Sequence, residues 1–271
     1  RLAPDRMGKV ALAAFDVDEG AVAPLVMQPV QRGVERLVIV HLRLPGPLQL
    51  GYLDRPDSTP IDFPFFDTHQ MMCGTVVILT LMRRGAAAVF EVAGNPGYSQ
   101  RVLQWAPDIA THDPGSAGGV LGLDFHLTVD GPRLIEVNTN PGGLLLNALL
   151  LDAVRSCAPP AWATWTNAAQ ARDAAVTAWM EDARQQSGRT PSRLAIVDST
   201  PRAQFLYPEF ELYANAFQDH GVDCVISAPE DLSFGSDGLE DAHGRIDTVY
   251  NRLTDFALED ASHADIREAY L

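Results

Sequence analysis

The side chains best able to do chemistry together lie in one short stretch, from Gly122 to Asn140. Side chains alternate across a strand, so this stretch sorts by parity. Leu123, Phe125, Leu127, Val129, Ile135 and Val137 fall on one face, with Arg133 at the tip. Asp124, His126, Thr128, Leu134, Glu136, Asn138 and Asn140 fall on the other. Opposed residues of an antiparallel pair share a face, so the two apolar faces coincide only if odd positions pair with odd. That register requires an odd loop, such as three residues centred on Asp130. It sets Asp124 opposite or diagonal to Glu136, with His126 and Asn138 on the same surface. Two carboxylates and an amide oxygen converging on one face repel each other unless a cation or hydrogen-bond donors intervene. Hard oxygen donors without thiolates suit Mg²⁺ or Mn²⁺, with nucleotide phosphates completing the shell. A solvated outer face of an edge hairpin, where Asp, Thr and Glu are common, accounts for the same pattern without any ligand.

The elements that must position these groups follow from apolar pattern and punctuation. Val120 to Val129 and Arg133 to Asn138 read as two strands joined by Asp130-Gly131-Pro132, and Pro141-Gly142-Gly143 breaks the second. Leu144 to Ser156 reads as a helix. Upstream, Asp67 precedes a helix-like run that reaches Arg84. Leu37-Val38-Ile39-Val40 has the composition of a strand, and the rest of residues 1 to 60 carries little signal. Asn95-Pro96-Gly97 and His112 to Gly119 read as turns. After Pro159-Pro160, the Ala-rich span from Ala161 to Gln186 reads as helical. Leu194 to Val197 is a continuous apolar run ending in Asp198, as in a buried parallel strand. A helix from about Gln204 to His220, stopped by Gly221, and strands at Val222 to Ser227 and Ile246 to Tyr250 complete a small open α/β unit.

Composition narrows the partners. The 271 residues carry 35 Asp plus Glu against 20 Lys plus Arg, a net charge of −15, and the only lysine is Lys9. Such a field disfavours nucleic acid and anionic membranes. The longest apolar run, Thr75 to Met82, is far short of the ~20 residues that span a bilayer. Cys73, Cys157 and Cys224 are scattered and form no C-x-x-C pair, as expected of free thiols in a reducing, cytoplasmic setting. The chain begins with Arg1 and stops at Leu271 inside an amphipathic pattern, which reads as a fragment.

Asp124, followed twelve residues later by Ile135-Glu136-Val137-Asn138-Thr139-Asn140-Pro141-Gly142-Gly143, resembles the metal-binding hairpin of the ATP-grasp ligases, a pattern shared by D-alanine–D-alanine ligase and glutathione synthetase. The resemblance implies that Asp124 binds one Mg²⁺ (or Mn²⁺), Glu136 bridges two, and Asn138 binds the second, with ATP as the nucleotide. It implies that Asn140, Gly142 and Gly143 approach the acyl substrate. Two departures stand out. The position two before Asp124, an Arg in D-alanine–D-alanine ligase, is Gly122, which leaves His126 and Arg133 as catalytic candidates. Lys9 alone cannot supply the lysines that grip the phosphates in that family. Tyr207-Pro208-Glu209-Phe210 and Val249 to Phe256 resemble the substrate-side domain of glutathione-synthetase-like ligases, so the order of domains is circularly permuted and the missing lysines are expected after Leu271.

The expected architecture is α/β, with α+β character in its first half. It comprises residues 1–158 as a hairpin subdomain with the acidic Mg²⁺ site, 159–192 as a helical linker, and 193–271 as a Rossmann-like, pre-ATP-grasp-type domain, truncated. The expected activity is ATP-dependent ligation of a small carboxylic acid to an amine or thiol, such as an amino acid or peptide, through an acyl phosphate; a homo-oligomer is left open. Asn251 and Arg252 follow a strand end, where open α/β sheets bind ligands. Arg252 either holds a substrate carboxylate in bidentate fashion or makes a structural ion pair. Competing readings are a non-catalytic binding or scaffold module of the same fold, and a divalent-metal hydrolase suggested by Asp124-x-His126 but lacking a second His cluster. Gly115 to Gly119 lacks the Gly-Lys-[Ser/Thr] of a phosphate loop and reads as a plain loop.

Overall fold

The computed structural model describes residues 10–15, 36–43, 68–116, 118–128, 130–155 and 168–271. The expectations for Cys157 and Ala161 to Asn167 lie outside the described residues. Helices and strands are mixed throughout, as α/β patterning requires. No helix among the described residues is long and apolar enough to cross a membrane.

Four strands form the first sheet: β1 (Val10–Phe15), β2 (Arg36–Arg43), β3 (Val120–Thr128) and β4 (Gly131–Asn138), in that order. The first three run parallel, and only β4 is antiparallel. The sequence showed the hairpin but not β1, nor that β2 lies beside β3. The long helix α1 (Thr68–Ala93) extends well past Arg84, because Gly85-Ala86-Ala87-Ala88 continues rather than stops it. Phe125 packs so closely on α1 that a Cβ on Gly85 would lie 3.3 Å from its ring. Asn95-Pro96-Gly97, expected as a turn, opens the helix α2 (Pro96–Val102). The Asn95 side chain caps the amides of Gly97 and Tyr98, and Pro96 takes the first helical position, where its missing N–H costs nothing.

Helix α3 (Leu144–Arg155) follows the Pro-Gly-Gly turn and leads to α4 (Ala168–Ser187). The second sheet holds β5 (Arg193–Val197), β6 (Asp223–Ser227) and β10 (Thr248–Asn251), all parallel, in the order β10-β5-β6. The central strand β5 is buried on both faces, and its residues alternate between two cores. Leu194 and Ile196 join α3, α4 and the helix α5 (Tyr207–Asp219) on one side; Ala195 and Val197 join Leu253, Leu258 and Ile266 on the other. That double burial is why β5 reads as an unbroken apolar run.

The first of these cores crosses the expected boundaries. It runs from Val120, Leu144 and Ala148 through Ala171, Ala175 and Val176 of α4 to Phe210 and Phe217. The helix at 168–187 is thus a packed layer between the hairpin and the second sheet. A small antiparallel meander, β7 (Ser233–Gly235), β8 (Gly238–Asp241) and β9 (Gly244–Arg245), stands between β6 and β10 and was not foreseen. Its strands are two to four residues long, too short for alternation to register. The last helix, α6 (Ala264–Tyr270), buries Ile266.

Candidate functional site

The register of the hairpin sets Asp124 directly opposite Glu136, Leu123 opposite Val137 and Gly122 opposite Asn138, the odd-with-odd pairing that the two faces demand. Toward the tip the pairing slips by one: Phe125 opposes Leu134, His126 opposes Arg133, and Thr128 opposes Gly131. The loop therefore leaves two residues between the paired ends, not three. A bulge between Asp124 and Phe125, which makes Ile135 the extra residue of β4, absorbs the difference. Gly131 takes φ +108°, and the Thr128 hydroxyl bonds the Gly131 carbonyl at 2.8 Å, so the tip closes through glycine's freedom and a local hydroxyl bond. A bulge re-aims the side chains next to it. Here it falls between the acids and the tip.

Asn138 donates its side-chain amide to Glu136 Oε1 at 3.0 Å. Two acids in cross-strand opposition, with an amide bonded to one of them, form a cluster of hard oxygen donors. The donor set suits a divalent ion of the Mg²⁺ class. Among the described residues, however, no group of three or more His, Cys, Asp or Glu side chains is gathered for a metal. Asp124 is partly buried, and Glu136 is exposed on the edge strand.

His126 lies two residues from Asp124 on the same strand, about 7 Å along it, and is half-buried. Arg133 is exposed near the tip, 3.8 Å from Asp130, with both side chains mostly in solvent. Gly122 has no room for a longer side chain: a Cβ there would sit 2.9 Å from Pro141 Cβ and 3.1 Å from Asn138 Cβ. Packing of this hairpin thus excludes an Arg at position 122. On the other flank of β3, the ladder pairs His41 with Asp124 and Arg43 with His126. Nothing in the sequence linked β2 to the hairpin, since a parallel neighbour can come from any distance along the chain.

Asn140, Gly142, Gly143, Asn251 and Arg252 converge, although more than a hundred residues separate the two groups. Asn140 donates its amide to the Asn251 carbonyl at 2.8 Å. Arg252 Nη1 donates to Asn140 Oδ1 at 2.6 Å, to the Asn140 carbonyl at 3.0 Å and to the Pro141 carbonyl at 3.2 Å. Gly142 is pressed against the second domain, since a Cβ would lie 2.5 Å from Leu206 Cδ1 and 2.9 Å from Arg252 Nη2. The Gly143 amide donates to Glu209 Oε2 at 2.6 Å and the Leu145 amide to Glu209 Oε1 at 2.8 Å.

Glu209 is the residue that sequence reasoning missed. It is 1% exposed, on the apolar stripe that Tyr213, Ala216 and Phe217 continue. Burial pushes its carboxyl pKa up, while the Gly143, Leu145 and Leu146 amides and Arg252 pull it back. An acid at a core position of an amphipathic helix was the available signal. Asp198, at the end of β5, is likewise pushed up by burial and held down by the Ser199 amide and Arg252. In the order β10-β5-β6 the carboxyl ends of β5 and β10 form the switch point where open sheets take ligands. Here the Pro141-Gly142-Gly143 turn sits against that edge.

An open cavity of about 750 Å³ lies beside this junction. Asn140 and Asn251 form part of its wall, with Trp179 and Asp182 from α4, Phe256 and Tyr270; Asp124 and Glu136 do not line it. No family model matches the chain, and no curated protein or solved structure matches it either.

Proposed function

We propose that the protein is an ATP-dependent ligase of the ATP-grasp type, joining a small carboxylic acid to an amine or thiol. The observation that carries this reading is the cross-strand opposition of Asp124 and Glu136, with Asn138 bonded to Glu136. Like charges directly opposed weaken a strand pair, a cost that a bound cation would offset. Asp124, Glu136 and Asn138 would hold Mg²⁺. Magnesium-bound ATP supplies the phosphoryl group that activates a carboxylate, and with it the neutralisation of charge that phosphoryl transfer requires. The chain's own part is to orient: the bulge aims the acid pair, and the Pro141–Gly143 turn places the end of β4 against the second sheet. His126 and Arg133, which oppose each other across the hairpin, are the groups proposed to meet a developing oxyanion.

The test is ADP release by the protein supplied with Mg²⁺–ATP, carboxylic acids and amino-acid or peptide acceptors. Glu136→Gln abolishes release without changing the far-UV circular dichroism; unchanged turnover rules out the role. A second reading, a binding module that kept this fold without its catalysis, draws on two features. The Gly143 amide is already engaged by Glu209, and the 750 Å³ cavity lies away from the acids. It predicts small-molecule binding that needs neither Mg²⁺ nor ATP, measurable by titration calorimetry.

A further inference from the structure

We infer that Glu209, Asn251 and Arg252 are positioning residues: a clasp from the second domain that sets where β4 ends and so where Glu136 and Asn138 stand. The inference rests on the metal-site reading above for its functional consequence, but its geometry stands apart from it. From Asn140 to Leu145 the chain is held at six points by these three side chains or backbones. Asn140 gives its amide to Asn251, and its carbonyl and side-chain oxygens are gripped by Arg252, as is the Pro141 carbonyl. The Gly143 and Leu145 amides are gripped by the two oxygens of Glu209. Asn140 is two residues beyond Asn138, too few for slack to accumulate between the clasp and the acid pair.

The upstream contact completes the restraint. Pro141 also packs over Gly122, the ladder partner of Asn138, so the turn is wedged between the hairpin and the clasp. A hairpin end on the surface frays when nothing fixes it. Here the fixing groups belong to the second domain, and an exposed Glu136 near the turn inherits its position from residues it does not touch. Glu209 suits this task because it is sealed from water, where a carboxylate holds its amide donors in one geometry. Outer groups that orient ligands in this way ordinarily alter metal affinity by an order of magnitude or more.

Two measurements on the whole chain decide the matter. Binding of Mn²⁺, followed by its electron paramagnetic resonance signal, is compared for the wild type, Glu136→Gln, Glu209→Gln and Gly142→Ala; the last pushes the clasp apart while leaving its three residues in place. Amide hydrogen exchange is read in parallel over residues 131–146 and over β5 and β6. The expected result is that Glu136→Gln loses Mn²⁺, whereas Glu209→Gln and Gly142→Ala weaken it about tenfold and speed exchange in 131–146 but not in β5 and β6. Wild-type Mn²⁺ affinity and exchange in the two folded clasp variants overturn the inference and leave the metal site standing. If the wild type binds no Mn²⁺, the metal site falls, and the exchange comparison alone decides whether the clasp positions the turn. If both variants unfold, Arg252→Lys, which keeps the charge but loses the fork, gives the same comparison.

Discussion

The hairpin β3–β4 and the small sheet β5–β6–β10 both gather acidic side chains, and they arrange them differently. In the second domain several acids meet a cation or a row of donors. Arg193 spans Asp241 through two nitrogens at 2.7 and 2.8 Å and reaches Asp223 at 2.8 Å. Asp247 collects Arg189, Ser192 and the Arg193 amide. The Arg193 guanidinium and nearby amides hold the Asp241 carboxyl down to about 2. In the hairpin, by contrast, Asp124 and Glu136 oppose each other on adjacent strands. The apolar residues differ in the same sense. Ile196 and Val197 are fully buried, whereas Leu134, Ile135 and Val137 on the edge strand are 41–47% exposed. The second domain spends several of its charges on its own cohesion, whereas the hairpin sets Glu136 exposed on its edge strand, with Asp124 partly buried on the strand beside it.

The largest effects belong to the buried side of this contrast. Phe217→Ala, in the core behind β5, costs about 3–5 kcal/mol, while Ile135→Ala on the edge strand costs under about 1 kcal/mol; equal shifts in urea midpoint would erase the distinction. Next is Arg193→Ala, which takes from Asp241 its cation and leaves it the His243 and Gly244 amides, at a cost of about 1–3 kcal/mol. It also changes the acid limb of the stability curve. Because Asp241 titrates lower folded than unfolded, its contribution is complete above about pH 4 and disappears as pH falls toward 2. That slope flattens in the variant, and thermal melts between pH 2 and 5 measure it. Gly122→Ala follows, forcing a Cβ against Pro141 and Asn138 at a cost of about 1–3 kcal/mol, visible in urea unfolding. The smallest change carries the opposite sign. Glu136→Gln relieves the opposed charges and stabilises the metal-free protein by about 0.5 kcal/mol. A loss of stability would mean that the acids serve cohesion here too.

Much of this was legible because it is local. The alternation in Gly122 to Asn140 was enough to set Asp124 opposite or diagonal to Glu136, since only one parity keeps Leu123 and Phe125 on the buried side. The apolar run Leu194 to Val197 announced a strand covered on both faces, and Leu144 to Ser156 announced α3 to within a residue. The slip at the hairpin tip was not legible, because a bulge at Ile135 lets a two-residue loop coexist with the register near the acids. Nor was the turn at Asn95-Pro96-Gly97 correctly weighed: the same three residues that break one helix start the next. Glu209 stayed hidden because its partners lie 64 and 66 residues away.

What the sequence determined by itself is the arrangement within each element: which face is apolar, and that two acids and an asparagine share one side of a hairpin. Periodicity and short-range sterics suffice for that. Only the tertiary structure decided which strands neighbour β3, that α4 is a packed layer, and that Glu209, Asn251 and Arg252 close on the Pro141–Gly143 turn. Those choices depend on burying apolar area and satisfying backbone groups between segments far apart in the chain, and no local pattern encodes the partner.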